Sequence, residues 1–293
     1  MFLKFKQKFF KRRVFKNASA KNFYFIVSTG RTGTNFMEAF INKASHDVFC
    51  VHEPHPDLFN LSIEKYREKK SSNYIYEKLQ ESRYEVLHSF LNSRKSIYIE
   101  SNPFAAFLVD NLKETFKNAK FIFIYRDIDT YLLSALNKSP LGNNVNNFYA
   151  KDDGRKRLSP IDFDNNELAK VWSDLSRAQK ITWYWTKCNT YLRNYAKDNS
   201  GHVLELKFED LFSLENKKKH TSFSKLFSYL NIELESKHLN ELLKNSFDKR
   251  NSTEEKFYKS LTELSQHETE WIQSQSANLS RELHDKVSLN DLG

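Results

Sequence analysis

Glycine, proline and cysteine are scarce in this chain: six, five and two among 293 residues. Two cysteines, Cys50 and Cys188, make no disulfide framework, which excludes the small stapled folds and fits a reducing compartment. No apolar run reaches the length of a membrane span. Acid is missing from one place in particular. Residues 1–16 carry seven Lys and Arg and no Asp or Glu, so they hold seven of the nine net positive charges and leave +2 for the rest. A nearly balanced body lacks the basic stripe of a nucleic-acid-binding domain, so no nucleic-acid partner is expected. The basic segment also lacks the apolar core and cleavage site of a signal peptide. Its Phe residues alternate with basic ones, which fits either a solvated tail or a contact with an anionic membrane surface.

What the chain does have is aromatic mass, 25 Phe and 14 Tyr, enough for a sizeable core. Short apolar runs recur at Phe23–Val27, Val48–Val51, Ile97–Ile99, Phe121–Tyr125 and Val203–Leu206, with helical patterns between them. That alternation predicts an α/β fold with a central parallel sheet of about five strands. The spacing also predicts a helical stretch over 104–117, a long amphipathic helix over 168–195 and helices alone after 220. Residues 1–19 read as a tail and 20–293 as one domain. The polar stretch 138–166 reads as a loop that is either functional or disordered.

The scarcity of glycine gives weight to "FIVSTGRTGTNFMEAF", residues 25–40, which holds Gly30 and Gly33 between a strand and a helix starting near Thr34. The free N–H groups and dipole of a helix start favour an anion, and glycine lets the backbone curl close to it. Arg31, with Ser28, Thr29, Thr32 and Thr34, makes the turn an anion-site candidate. It is not a Walker A loop, because no Lys-Ser/Thr follows Gly33. A second motif, "FIFIYRDIDTYLLSALN", residues 121–137, ends a strand with Arg126 and Asp127 at the edge where open α/β sheets bind ligands. Ser134 lies two helical turns further on, and Arg126 can fork a phosphate. A third stretch, "CVHEPHPDLF", residues 50–59, follows the second strand. Its two prolines forbid a regular helix. If it is extended, Glu53, His55 and Asp57 point one way and His52 the other. A metal site from His52, His55 and Asp57 lacks an evident fourth ligand.

Taken together, these motifs resemble the sulfotransferase family that uses 3′-phosphoadenosine-5′-phosphosulfate (PAPS). "TGRTGTNF" is similar to its 5′-phosphosulfate loop, with Arg31, Thr32, Gly33, Thr34 and Asn35 in the core positions. "YRDIDTYLLS" is similar to its 3′-phosphate motif, with Ile128 in place of the usual proline. "IESNPFAAFLVDNLKETFKNAKFIFIYRD" resembles the approach to that motif, and "VLELKFEDLF" the later strand ending Tyr-Glu-Asp-Leu. The resemblance covers roughly residues 20–215. It implies a P-loop-like three-layer α/β/α fold and PAPS as co-substrate, with no metal. Gly30, Arg31, Thr32, Gly33, Thr34, Asn35, Arg126 and Ser134 would bind the co-substrate. The chain has Arg31 where many members carry Lys. It lacks the C-terminal Arg-Lys-Gly element, for which Lys249 and Arg250 are a candidate substitute.

The expected mechanism follows from charge. Arg31 and the loop N–H groups would stabilise the leaving phosphate, and a base would take the acceptor proton. Glu53 matches the base of bacterial carbohydrate members. His55 is the alternate, and Glu100 a reserve that could instead orient Arg126 or Arg31. The expected acceptor is a hydroxyl of a carbohydrate or glycan precursor. The expected location is the cytoplasm, peripheral at the inner membrane surface if residues 1–16 bind it. Two other readings remain: a P-loop nucleotide kinase-like enzyme, and a catalytically inactive membrane-surface binding protein with this fold.

Overall fold

A computed structural model describes residues 13–18, 20–138, 147–151, 153–246 and 257–290, with side chains to 284. Five strands form one all-parallel sheet: β1 (Asn22–Val27), β2 (Val48–His52), β3 (Ile97–Ser101), β4 (Lys120–Tyr125) and β5 (Val203–Lys207). Their order is β2-β3-β1-β4-β5. The central strands β1 and β4 are hydrophobic at every position after their first residue because helices cover both faces of the sheet.

Alternation along β1 divides the core. Phe23, Phe25 and Val27 face one helical layer; Tyr24 and Ile26 face the other. The first layer holds α3 (Ser72–Asn92), α4 (Val109–Thr115), α5 (Ile128–Leu136), α7 (Arg177–Asp198) and α11 (Gln266–Asn290). The second holds α1 (Thr34–Ala44), α9 (Asn216–Tyr229) and α10 (Ser236–Asn245). The three-layer α/β/α fold is therefore present. Short helices α2 (Phe59–Tyr66), α6 (Asn166–Lys170) and α8 (Phe208–Leu211) complete it.

Two expected helices differ from the structure. The stripe read as one helix over 168–195 is broken: α6 ends at Lys170 and α7 starts at Arg177. A capping box causes the restart. Ser176 Oγ accepts from Gln179 N at 3.3 Å, and Gln179 Oε1 accepts from Ser176 N at 2.8 Å. Val171, in the gap, is exposed. The 104–117 stretch opens as a 3₁₀ helix, Pro103–Leu108, and continues as α4.

Of the basic N-terminal segment, residues 1–12 lie outside the described residues. Residues 13–18 are helical and bury Val14 and Ala18 in the core. Residues 139–146 and 152 of the polar stretch, and Lys249 and Arg250, also lie outside the described residues. Among the described residues no helix is long and apolar enough to cross a membrane.

The topology positions a site. β1 sits between β3 and β4, and the chain leaves β1 through α1 on one face and β4 through α5 on the other. The loops after these neighbouring strands diverge, leaving a crevice at their C-terminal edge.

Candidate active site

The loop from Ser28 to Gly33 fills one side of that crevice. Gly30, Arg31 and Gly33 all take left-handed φ, at 81°, 56° and 76°. Hydroxyls stitch the curl: Ser28 Oγ accepts from Gly30 N at 3.1 Å and from Thr32 Oγ1 at 2.7 Å. Thr29 and Thr32 are buried with Ser28. Gly33 is the N-cap of α1, and no side chain caps the helix there. The positive end of the helix thus faces the loop. Gly33 is also a packing requirement, because a Cβ there would lie 2.4 Å from Phe212 Cζ. Phe212 stacks on Phe208 at 4.6 Å between ring centroids, and Phe208 lies under the Arg126 guanidinium at 4.1 Å.

We expect Gly33→Ala to cost about 1–3 kcal/mol, the usual range for backbone strain at a functional turn. It should also weaken ligand binding, because the ring it displaces supports the shelf beneath Arg126. Thermal unfolding checks the first effect; an unchanged melting temperature would contradict it.

Two guanidiniums meet over the loop. Arg31 Nε donates to Ser134 Oγ at 3.1 Å, and Arg126 Nη1 donates to the Arg31 carbonyl at 2.6 Å. Burial pushes the Arg31 guanidinium down. Burial, with Arg31 adding to it against the opposing pull of Glu209, pushes Arg126 down to about 10. Lys138, one turn beyond Ser134 on α5's side, is also pushed down by burial and by Arg31, while Glu53 pulls it up. Among the described residues no carboxylate lies within ion-pair distance of Arg31, Arg126 or Lys138. Three partly buried cations without a direct ion-pair partner among the described residues favour an anionic ligand.

Ser134 therefore bonds Arg31, where the sequence had paired it with Arg126. The helix carries it across to the β1 loop. Arg126 instead donates from Nε to Thr130 Oγ1 at 3.1 Å, and Trp185 Nε1 donates to its carbonyl at 2.9 Å. Thr34 is buried at the start of α1, and its carbonyl accepts from Ser101 Oγ at 2.8 Å. Asn35 follows in the first turn and is half-buried.

Glu53 follows β2 with φ of 43°, so the segment is not extended there and the expected alternation of side chains fails. Its N–H donates to the Ser101 carbonyl at 3.1 Å. Its carboxyl is raised above the ordinary carboxylate range by burial, and His52, Arg155 and Lys138 pull the other way. His52 Nδ1 lies 2.9 Å from the Ser101 carbonyl, which can only accept, so Nδ1 carries a proton. Its Nε2 faces Glu53 Oε1 at 3.5 Å. His55 is exposed, at the cis His55–Pro56 bond. Asp57 is committed elsewhere, accepting from Phe59 N at 3.1 Å and pairing with Arg155 at 2.9 Å. Among the described residues no group of three His, Cys, Asp or Glu could hold a metal.

Glu100 orients neither arginine of the site. It is fully buried and takes both ends of the Arg83 fork at 2.7 Å, plus Tyr98 Oη at 2.9 Å and Asn102 Nδ2 at 2.8 Å. Both oxygens are saturated with donors, so it cannot serve as a base. Arg83 Nη1 also donates to the Pro56 carbonyl at 2.9 Å, which fixes the turn after Glu53 from below. From above, Arg155 holds Asp57 while its guanidinium lies over Phe59 and Phe104, each at 4.7 Å.

Sequence reasoning missed Lys138, Thr130, Arg155 and the shelf of Phe208 and Phe212. Lys138 lies two residues past the end of α5, four positions after Ser134. Phe208 and Glu209 belong to "VLELKFEDLF", where nothing local marks them as neighbours of Arg126.

The chain matches the model of the sulfotransferase family over residues 24–236. No curated protein matches it. A sulfotransferase from Alicyclobacillus acidocaldarius has a similar solved structure, with 14% identity, a TM-score of 0.50, and coverage of 89% of this chain and 95% of that one. Another, from Mycobacterium tuberculosis H37Rv, has 12% identity, a TM-score of 0.52, and coverage of 92% and 81%. At these identities the likeness concerns the fold.

Proposed function

The chain belongs to the sulfotransferase family, and from that premise we propose that it moves a sulfuryl group from PAPS to a hydroxyl of a carbohydrate or glycan precursor. The observation that carries the co-substrate reading is the pair of partly buried guanidiniums, Arg31 and Arg126, joined through the Arg31 carbonyl beside an uncapped helix start. Gly30, Arg31, Thr32, Gly33, Thr34 and Asn35 would hold the phosphosulfate end, with Ser134 fixing Arg31. Arg126 would hold the 3′-phosphate. The left-handed φ at Gly30 and Gly33 curls the loop so that its backbone N–H groups can face an anion.

PAPS supplies an activated sulfuryl group: the acceptor oxygen bonds to sulfur as the bond from sulfur to the phosphate oxygen breaks. Arg31 and the first-turn N–H groups of α1 stabilise the charge that collects on the phosphate. Glu53 takes the acceptor proton at its carboxylate. His52 Nε2 faces Glu53 at 3.5 Å, and Lys138 acts on Glu53 through its charge. A polar acceptor is supported by the residues that act on Glu53, which are His52, Asp57, Lys138 and Arg155. Residues 1–16 are read as a peripheral contact with an anionic membrane of a cytoplasmic enzyme, which vesicle sedimentation of full-length and truncated protein tests. The co-substrate reading is tested by thermal shift with adenosine 3′,5′-bisphosphate, which should raise the melting temperature because it binds only the folded state. A shift with ATP and magnesium but none with the bisphosphate would overturn it.

A pH prediction follows. A base works deprotonated, so activity should fall as pH drops through the folded-state pKa of Glu53, above the ordinary carboxylate range. Lys138 holds that value down. Lys138→Met should therefore move the acid limb of the rate profile to higher pH. A limb that stays in place would separate Lys138 from the base.

A further inference from the structure

We propose that Glu209, acting through Thr130, is a positioning residue that aims Arg126 at its phosphate; this rests on the reading of Arg126 given above. Arg126 Nε donates to Thr130 Oγ1 at 3.1 Å. Thr130 Oγ1 lies 2.6 Å from Glu209 Oε1 and 3.2 Å from the Asp127 carbonyl. A hydroxyl has one proton, and the shorter, charged contact takes it. The direction of the chain is thereby fixed: Arg126 N–H to the Thr130 oxygen, Thr130 O–H to the Glu209 carboxylate.

Glu209 is itself held. Its oxygens accept from Asp127 N at 3.2 and 3.4 Å, where α5 begins and Asp127 makes no side-chain cap. α8, which carries Glu209, starts immediately after β5, and β5 pairs with β4 up to Tyr125 and Lys207. The carboxylate is thus referenced to the strand that carries Arg126. Phe208, the residue before it, supplies the ring beneath the guanidinium.

The consequence is a guanidinium fixed on three sides. One N–H goes to Thr130, one to the Arg31 carbonyl, and the ring blocks one face. Of the five N–H donors of an arginine, three are left for a ligand, in a fork suited to phosphate. The Glu209 charge also offsets the burial that pushes Arg126 down. Thr130 is exposed on the surface of α5, so its hydroxyl is not needed for the core. Its loss should be felt in binding and not in folding.

The test is calorimetric binding of two ligands: adenosine 3′,5′-bisphosphate, and adenosine 5′-phosphosulfate, which lacks the 3′-phosphate. Thr130→Val keeps the shape and removes the link, and Glu209→Ala removes its end. Both should weaken the bisphosphate about tenfold, equivalent to about 1.4 kcal/mol. Neither should alter the 5′-phosphosulfate or, for Thr130→Val, the melting temperature. Thr130→Ser should restore bisphosphate affinity. Unchanged bisphosphate binding in Thr130→Val, or equal losses with both ligands, would overturn the relay. A wild-type protein that does not bind the bisphosphate would overturn the reading of Arg126 on which it rests.

Discussion

Arg31→Ala should lower turnover by about 10²–10³, the usual cost of removing one group that stabilises transition-state charge, while adenosine 3′,5′-bisphosphate affinity falls far less. The bisphosphate keeps the 5′-phosphate, which the first-turn N–H groups of α1 would also hold, and its 3′-phosphate is assigned to Arg126. Losing Arg31 therefore removes only part of its binding, whereas turnover loses the group assigned to the charge that develops as the sulfuryl group departs. The substitution is clean for a structural reason. Arg126 bonds the main-chain carbonyl of Arg31, which alanine retains. Among the described residues the side chain itself makes one hydrogen bond, to Ser134. The left-handed φ of 56° strains alanine about as much as it strains arginine. Transfer of radiolabelled sulfate, set beside calorimetric product binding, separates the two effects. Near-normal turnover would sink the assignment, and equal losses in both would make Arg31 a simple binding residue.

The fold was legible because its strands announce themselves. Phe23 to Val27 is apolar at every position, as a strand covered on both faces must be, and it is followed by the glycines that curl the loop. Glycine at 33 could be read locally as turn chemistry. Its second reason, the Phe212 ring, lies far along the chain and becomes a neighbour only through β5 pairing with β4. The long helix was over-read because Leu168, Val171 and Trp172 continue the spacing of α7. The box at Ser176 and Gln179 is a local hydrogen-bond choice that periodicity does not register.

Charge pairing was the least legible layer. Glu53 and Glu100 each stand at the end of a strand, and nothing adjacent distinguishes them. The structure separates them by their partners. Glu100 meets Arg83 from α3 and is saturated; Glu53, among the described residues, meets only His52 at 3.5 Å and sits beside the crevice. Ser134 was paired with Arg126 because they share a segment, but a helix moves a residue two turns along by about 12 Å. That is enough to bring it to the neighbouring loop and Arg31. Both residues now assigned to the chemistry, Arg31 and Glu53, have left-handed backbones without being glycine. Such strain concentrates where function holds it.

Glu53→Gln should abolish most activity, by roughly 10²–10⁴, as loss of a general base does, while fold and bisphosphate affinity persist. The carboxyl is raised by burial, so the folded state holds its proton more tightly than the unfolded chain. Between the ordinary carboxylate range and that raised value, the native state binds more protons, and stability falls as pH rises. At neutral pH the ionised carboxylate therefore opposes folding, and a neutral amide of the same shape relieves the penalty. The Gln variant should melt no lower than the wild type, so lost activity could not be ascribed to unfolding. Its amide cannot accept the acceptor's proton, and the acid limb of the rate profile should vanish with the activity. His55→Ala should matter little, because His55 is exposed on the turn while Glu53 is only 32% exposed. A radiolabelled transfer assay on both variants decides between them. A mild Glu53 effect with abolition by His55→Ala would reverse the roles. If both variants retained transfer, the base would have to be sought elsewhere than Glu100, whose oxygens are already taken by Arg83, Tyr98 and Asn102.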